Sequence, residues 1–161
     1  MTEIDHSQYI QQYYQDDYAW CYGCGRNNVE GHHFATRWDG AETLTEYEPQ
    51  AFHTAIPGFV YGGLLASLID CHSTGSAALA LYRQAGYEPG ASAPVPRCVT
   101  AMLKVDFLKP TPLGETLQAR GHIQEVGAKK VVVVSQVYAK DSLVVKAEVV
   151  AVRAPQSMTG K

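Results

Sequence analysis

The chain has 161 residues, 46 % of them hydrophobic and 18 % charged, with a formal net charge of −3. That length suits one domain with its own core, and the mild acidity gives no reason to expect a nucleic-acid partner. No run approaches the roughly 18 consecutive apolar residues of a membrane span, and residues 3–8 lack the basic-then-apolar order of a signal peptide. A cytoplasmic protein with no membrane partner is the expectation.

Residues 5–19 predict a short N-terminal helix, capped by Asp5 or Ser7 and carrying Tyr9, Ile10, Tyr13, Tyr14 and Tyr18. So many tyrosines suit a surface or the cover of a cleft, where rings are buried and hydroxyls stay wet. We divide the chain into this extension (1–20), a main domain (21–155) and a loose tail (156–161). Cysteines stand at 21, 24, 71 and 98, which is no disulfide framework at this length. Cys21-Tyr-Gly-Cys24 has zinc-ligand spacing, but no second such pair follows, and adjacent His32 and His33 face different ways. A turn closed by small residues is expected there, without metal. Strands follow at 32–38 and 42–48, joined at Asp39-Gly40.

The rest of the chain is arranged around residues 57–83. Pro57 and Gly58 mark a loop; Leu64, Leu65, Leu68, Ile69, Ala77, Ala78, Leu81 and Tyr82 then recur at helical spacing. Residues 73–78 are all small, so another backbone can approach closely. Amides at Gly62 and Gly63 would open this helix without intrahelical acceptors, at the positive end of its dipole. With no Cβ at either glycine, a ligand oxygen can reach them. Asp70, about 12 Å further along the axis, is the one acid in the stripe. Either it is hydrogen-bonded or at work, or the helix is partly uncovered there and it points to water. Paired with the amides, it would supply two parts of an acyl-transfer site. Cys71-His72 is not a nucleophile pair, because consecutive helical residues diverge by about 100°.

After a Pro- and Gly-rich loop at 86–97, a strand is expected over 98–108, with Val99, Ala101, Leu103, Val105 and Phe107 facing inward. Strands near 115–126, 129–139 and 142–153 complete the set, and unbroken Val131–Val134 suits a central one. Two strands, one helix and four strands make an α+β fold: one antiparallel sheet curled around one long helix.

Three stretches carry a family resemblance: Cys21-Tyr-Gly-Cys24-Gly-Arg-Asn-Asn, Phe52-His-Thr-Ala-Ile-Pro-Gly-Phe-Val-Tyr-Gly-Gly63, and Lys109-Pro-Thr-Pro-Leu-Gly114. With the order of elements and an acid eight residues after Gly62, residues 20–153 resemble the PaaI-like and THEM-type hotdog acyl-CoA thioesterases. The resemblance implies a hotdog fold, a homodimer or dimer of dimers, and hydrolysis of an acyl-CoA substrate without metal or cofactor. It implies that Asp70 is base or nucleophile, that the Gly62 amide polarises the thioester carbonyl, and that Thr100 helps position water. Gly63 and His53 would border the thioester. Arg97, Lys104 and Lys109 either meet CoA phosphates or form a solvated sheet face. Tyr61 stands where the family usually has His, and Ala55 where PaaI enzymes have Asn. A non-catalytic acyl-CoA or small-ligand binding module is the rival from another class. A hotdog dehydratase is a rival enzyme, which would want a His at position 61.

Overall fold

The computed structural model describes residues 5–158. Residues 1–4 of the leader and extension readings lie outside the described residues, as do 159–161 of the expected tail. Gln156–Met158 of that tail forms one 3₁₀ turn. The elements run β1 (Thr36–Asp39), β2 (Glu42–Tyr47), α1 (Gly62–Gln84), β3 (Cys98–Phe107), β4 (Leu117–Val126), β5 (Lys130–Ala139) and β6 (Ser142–Arg153). This is the expected order. The strands form one antiparallel sheet, β1-β2-β4-β5-β6-β3, and every strand touches α1. Val-rich β5 lies inside the sheet, between β4 and β6, as its unbroken apolar run predicts.

From Leu64 to Tyr82, α1 is buried on nearly every side. A helix apolar all round needs such a wrapping. With a mean hydropathy of 1.3, its most apolar window could cross a membrane by length and composition, which the count of consecutive apolar residues missed; 83 % of that window is buried inside the fold. The small residues let the strands close in. Ser73 Oγ lies 2.8 Å from Ser135 Oγ, and a Cβ at Gly75 would stand 2.9 Å from Thr36 Oγ1.

The N-terminal segment departs from the expected helix. It forms three 3₁₀ turns, His6–Gln8, Ile10–Tyr13 and Asp16–Tyr18, separated by extended residues such as Tyr9 and Tyr14. The cause is a competing use of its side chains. The Gln11 amide donates to Thr36 Oγ1 (3.0 Å) and accepts from Thr36 N–H (2.8 Å), satisfying β1 where no strand pairs with it. Ile10 and Tyr14 are buried in the main core, so the segment is not simply a surface cover.

A polar seam runs from Gln11 through Thr36 and Thr45 into the core and ends on His72. Thr36 Oγ1 and Thr45 Oγ1 are 2.8 Å apart, and Thr45 Oγ1 is 2.7 Å from His72 Nδ1. His72 is fully buried, and its Nε2 has no partner among the described residues. Burial therefore pushes its pKa down to about 3. In the unfolded chain the imidazole titrates near its ordinary value of about 6.5. Below that pH the unfolded state binds a proton that the native state refuses, so stability falls as pH falls. The loss should reach about 3 kcal/mol by about pH 4.5. Urea midpoints measured across this range should drop for the native protein and drop less for His72→Gln, which removes the titrating group.

Candidate active site

The loop before α1 is pinned from two sides. Val60 N–H donates to the Thr111 carbonyl (2.8 Å), and Tyr61 N–H donates to the His53 carbonyl (3.0 Å). Tyr61 is the helix N-cap, with φ −72° and ψ 143°, and gives no side-chain cap. Gly62 and Gly63 N–H are then the first two helix donors, and neither has an acceptor among the described residues. Residue size is dictated at Gly63 but not at Gly62. The Tyr61 ring folds back over Gly63, where a Cβ would stand 2.3 Å from it. At Gly62 an added Cβ would meet the Phe107 ring at an ordinary 3.5 Å. Phe107, from β3, thus borders the donors, and sequence patterning marked it only as a core residue.

Asp70 lies partly buried two turns along α1, and the Thr100 hydroxyl donates to its Oδ1. That bond depends on an irregularity in β3. Thr100 pairs with Ala151 on β6, but Met102 pairs with Val150, so Ala101 is an extra residue in a bulge. Before the bulge Cys98 and Thr100 face α1; after it Leu103, Val105 and Phe107 do, opposite Val149, Ala147 and Val145. The expected inward row is therefore corrected at its first two places, because strict alternation cannot pass through a bulge. Asp70 Oδ2 has no hydrogen-bond partner among the described residues, so one carboxylate oxygen is held and the other is open.

β3 is also the edge of the sheet. Leu103 and Phe107 face the helix side yet are 40 % and 55 % exposed, and Met102 and Leu108 are exposed beside them.

His53 stands beside the helix start, its ring edge-on to His32 (5.2 Å) and Phe52 (4.7 Å). Gln50 N–H donates to His53 Nδ1 at 2.9 Å, which leaves the ring proton on Nε2. Partial burial lowers its pKa, and with Nδ1 accepting, Nε2–H is the donor it offers. The three cations do not come together. Arg97 and Lys109 are twelve residues apart along an extended strand, roughly 40 Å. Arg97 stacks on the Tyr14 ring (4.8 Å) and donates to the Cys98 carbonyl. Lys104 projects from the outer sheet face, paired across strands with Glu148. Lys109 lies between Phe107 and Thr111, both of which meet the helix start.

Cys71 and His72 diverge as predicted: His72 turns to Thr45, and Cys71 turns to the Cys21–Cys24 turn, with its Sγ 3.9 Å from Cys21 Sγ. Hydrogen bonds from the thiols of Cys24 and Cys71 hold Cys21 well below the ordinary thiol range, and the bond with Cys21 pushes Cys24 up to about 12. Nothing local in the sequence links Cys71 to a turn some fifty residues earlier.

The thioesterase superfamily model matches residues 57–146, from the loop before α1 into β6. A thioesterase superfamily protein from Shewanella loihica PV-4 is 43 % identical, over 88 % of this chain and 100 % of its own, with a TM-score of 0.67. The chain belongs to the thioesterase superfamily. Its hotdog fold recurs in distant structures. Escherichia coli PaaI, from the phenylacetic acid degradation operon, is 19 % identical over 74 % of this chain and 77 % of its own, with a TM-score of 0.58. Streptococcus mutans UA159 smu.793, bound to acetyl CoA, is 20 % identical over 75 % of this chain and 88 % of its own, with a TM-score of 0.60. At those identities the likeness concerns the fold. No curated protein matches. The superfamily match contains Tyr61, Gly62, Gly63, Asp70 and Thr100, and leaves out the Cys21–Cys24 turn.

Proposed function

We propose that this thioesterase-superfamily chain hydrolyses acyl-CoA thioesters, with Asp70 as general base or nucleophile and the Gly62 and Gly63 amides as donors to the thioester oxygen. The observation that carries this reading is the Thr100–Asp70 bond, made possible by the bulge at Ala101. It fixes one carboxylate oxygen and frees the other to take a proton from water or to attack the acyl carbon. A reacting carbonyl must lie about 3 Å from both nucleophile and oxyanion donors, whereas Gly62 and Asp70 of one chain are about 12 Å apart along α1. Two chains joined through the β3 edge would supply the parts to one site, and the exposed apolar residues there favour a homodimer. Of the three cations, Lys109 is the best candidate for a CoA phosphate, because its chain neighbours Phe107 and Thr111 reach the helix start.

A binding module without turnover is the second reading, favoured by the Tyr61 ring lying over Gly63 at the helix start. Thiol release from a panel of short, medium, long and aromatic acyl-CoAs separates the two. Turnover is expected for at least one ester; none on any ester, with binding retained, would overturn hydrolysis. Thr100→Val, which keeps shape and removes the donor, should lower turnover about tenfold and leave KM little changed, as expected of a group that orients the base.

A further inference from the structure

The thioester reading leaves three cysteines unused, and they converge. We propose that Cys21, Cys24 and Cys71 bind a thiophilic metal ion, zinc, with the fourth position open to water or another small ligand. Their Sγ atoms all lie within 4.8 Å of one another, and Cys21 and Cys71 are 3.9 Å apart. Zinc–sulfur bonds of about 2.3 Å at tetrahedral angles set two thiolates roughly 3.8 Å apart, whereas a disulfide sets them about 2.0 Å apart. The Cys21–Cys71 spacing matches that of co-ligands, and the third thiol lies close enough to complete the set.

The surroundings are shaped to this contact. Gly25 N–H donates to the Cys21 carbonyl (2.7 Å), closing the turn, and a Cβ at Gly25 would stand 2.5 Å from the Ala19 carbonyl oxygen. A Cβ at Gly23 would stand 2.2 Å from Cys71 Sγ, so the turn can press on the helix thiol only with glycine there. Phe34 N–H donates to the Gly23 carbonyl (2.9 Å) and holds the turn down. Two ligands three positions apart in a tight turn, with a third from a rigid helix, make a preformed triangle. Cys24 and Cys71 are buried while Cys21 is half-exposed, which gives the ion a dry inner side and one open side. No fourth Cys, His, Asp or Glu joins the group among the described residues. A cleft of about 500 Å³, lined by Cys24, Arg26 and His33 among others, adjoins the cluster on its Cys24 side. This departs from the metal-free expectation for the Cys21–Cys24 pair, which lacked a third ligand until the fold supplied Cys71. Such an ion would tie the N-terminal segment to α1 one residue beyond Asp70.

The test uses the full chain, reduced with a phosphine, stripped of metal and titrated with Co²⁺. One equivalent should produce a thiolate-to-cobalt charge-transfer band with tetrahedral d–d absorption, and Zn²⁺ should abolish both. Cys71→Ser should cut the charge-transfer intensity by about a third and weaken Zn²⁺ binding on the order of 100-fold, as loss of one ligand requires. Cys98→Ser, buried outside the cluster, should change neither. Should Cys71→Ser fail to fold, Cys21→Ser on the half-exposed turn gives the same reading. No charge-transfer band in the native protein, or a band that survives Cys71→Ser and Cys21→Ser at full intensity, overturns the site.

Discussion

Asp70→Asn should lower turnover of the best acyl-CoA substrate by about 10²–10⁴-fold, the range a lost general base commands. The substitution isolates the chemistry because it keeps the geometry. The Thr100 hydroxyl donates to Oδ1, and the amide oxygen of Asn can accept that same bond. What disappears is the negative charge and the basic lone pair of the open oxygen. KM should change little, since remote contacts with CoA are untouched. Melting temperature should hold or rise, because a partly buried carboxylate costs more desolvation than an amide. Steady-state thiol release and a thermal melt on the same preparation decide the matter. A wild-type rate would reduce Asp70 to a structural acid, and the proposed mechanism would go with it.

How much of this could be read in the chain depends on the range of the interaction concerned. Helical spacing from Leu64 to Tyr82, Val131–Val134 and the turn at Gly40 (φ +65°) all act within a few residues, and each gave the right element. The N-terminal helix failed because Gln11 serves Thr36, twenty-five residues away, and local propensity cannot weigh such a bond. Asp70 was legible as a lone acid among apolar neighbours, and Thr100 only through a family resemblance. The bulge that turns Thr100 toward Asp70 leaves no mark in a run such as Cys98-Val-Thr-Ala-Met-Leu. Without the bulge, the residue aimed at the helix would have been Ala101. The cysteine triangle was hidden for the same reason, since its third member comes from another element.

Gly62→Pro should cost turnover about 10²–10³-fold, the usual effect of removing one oxyanion donor, while leaving the fold intact. Proline is tolerated at the first helical position, where its missing N–H has no intrahelical acceptor to lose. The preceding residue must be extended for proline to follow, and Tyr61 already is, at φ −72° and ψ 143°. The new ring atoms start from a position whose nearest neighbour is the Phe107 ring, 3.5 Å away. A structural failure is therefore not expected, and an unchanged melting temperature would confirm it. The variant also tests whether two chains share each site. Co-expressed with Asp70→Asn under a second tag, about half of the dimers should be mixed. In a mixed dimer one site joins the intact Asp70 of one protomer to the intact Gly62 of its partner, and the other site carries both defects. About a quarter of wild-type activity should return, from two preparations each nearly inactive alone. If Gly62 and Asp70 of the same chain served one site, every site in every mixture would carry one defect and no activity would return. That outcome would dismiss the shared site while leaving each single-variant loss to stand.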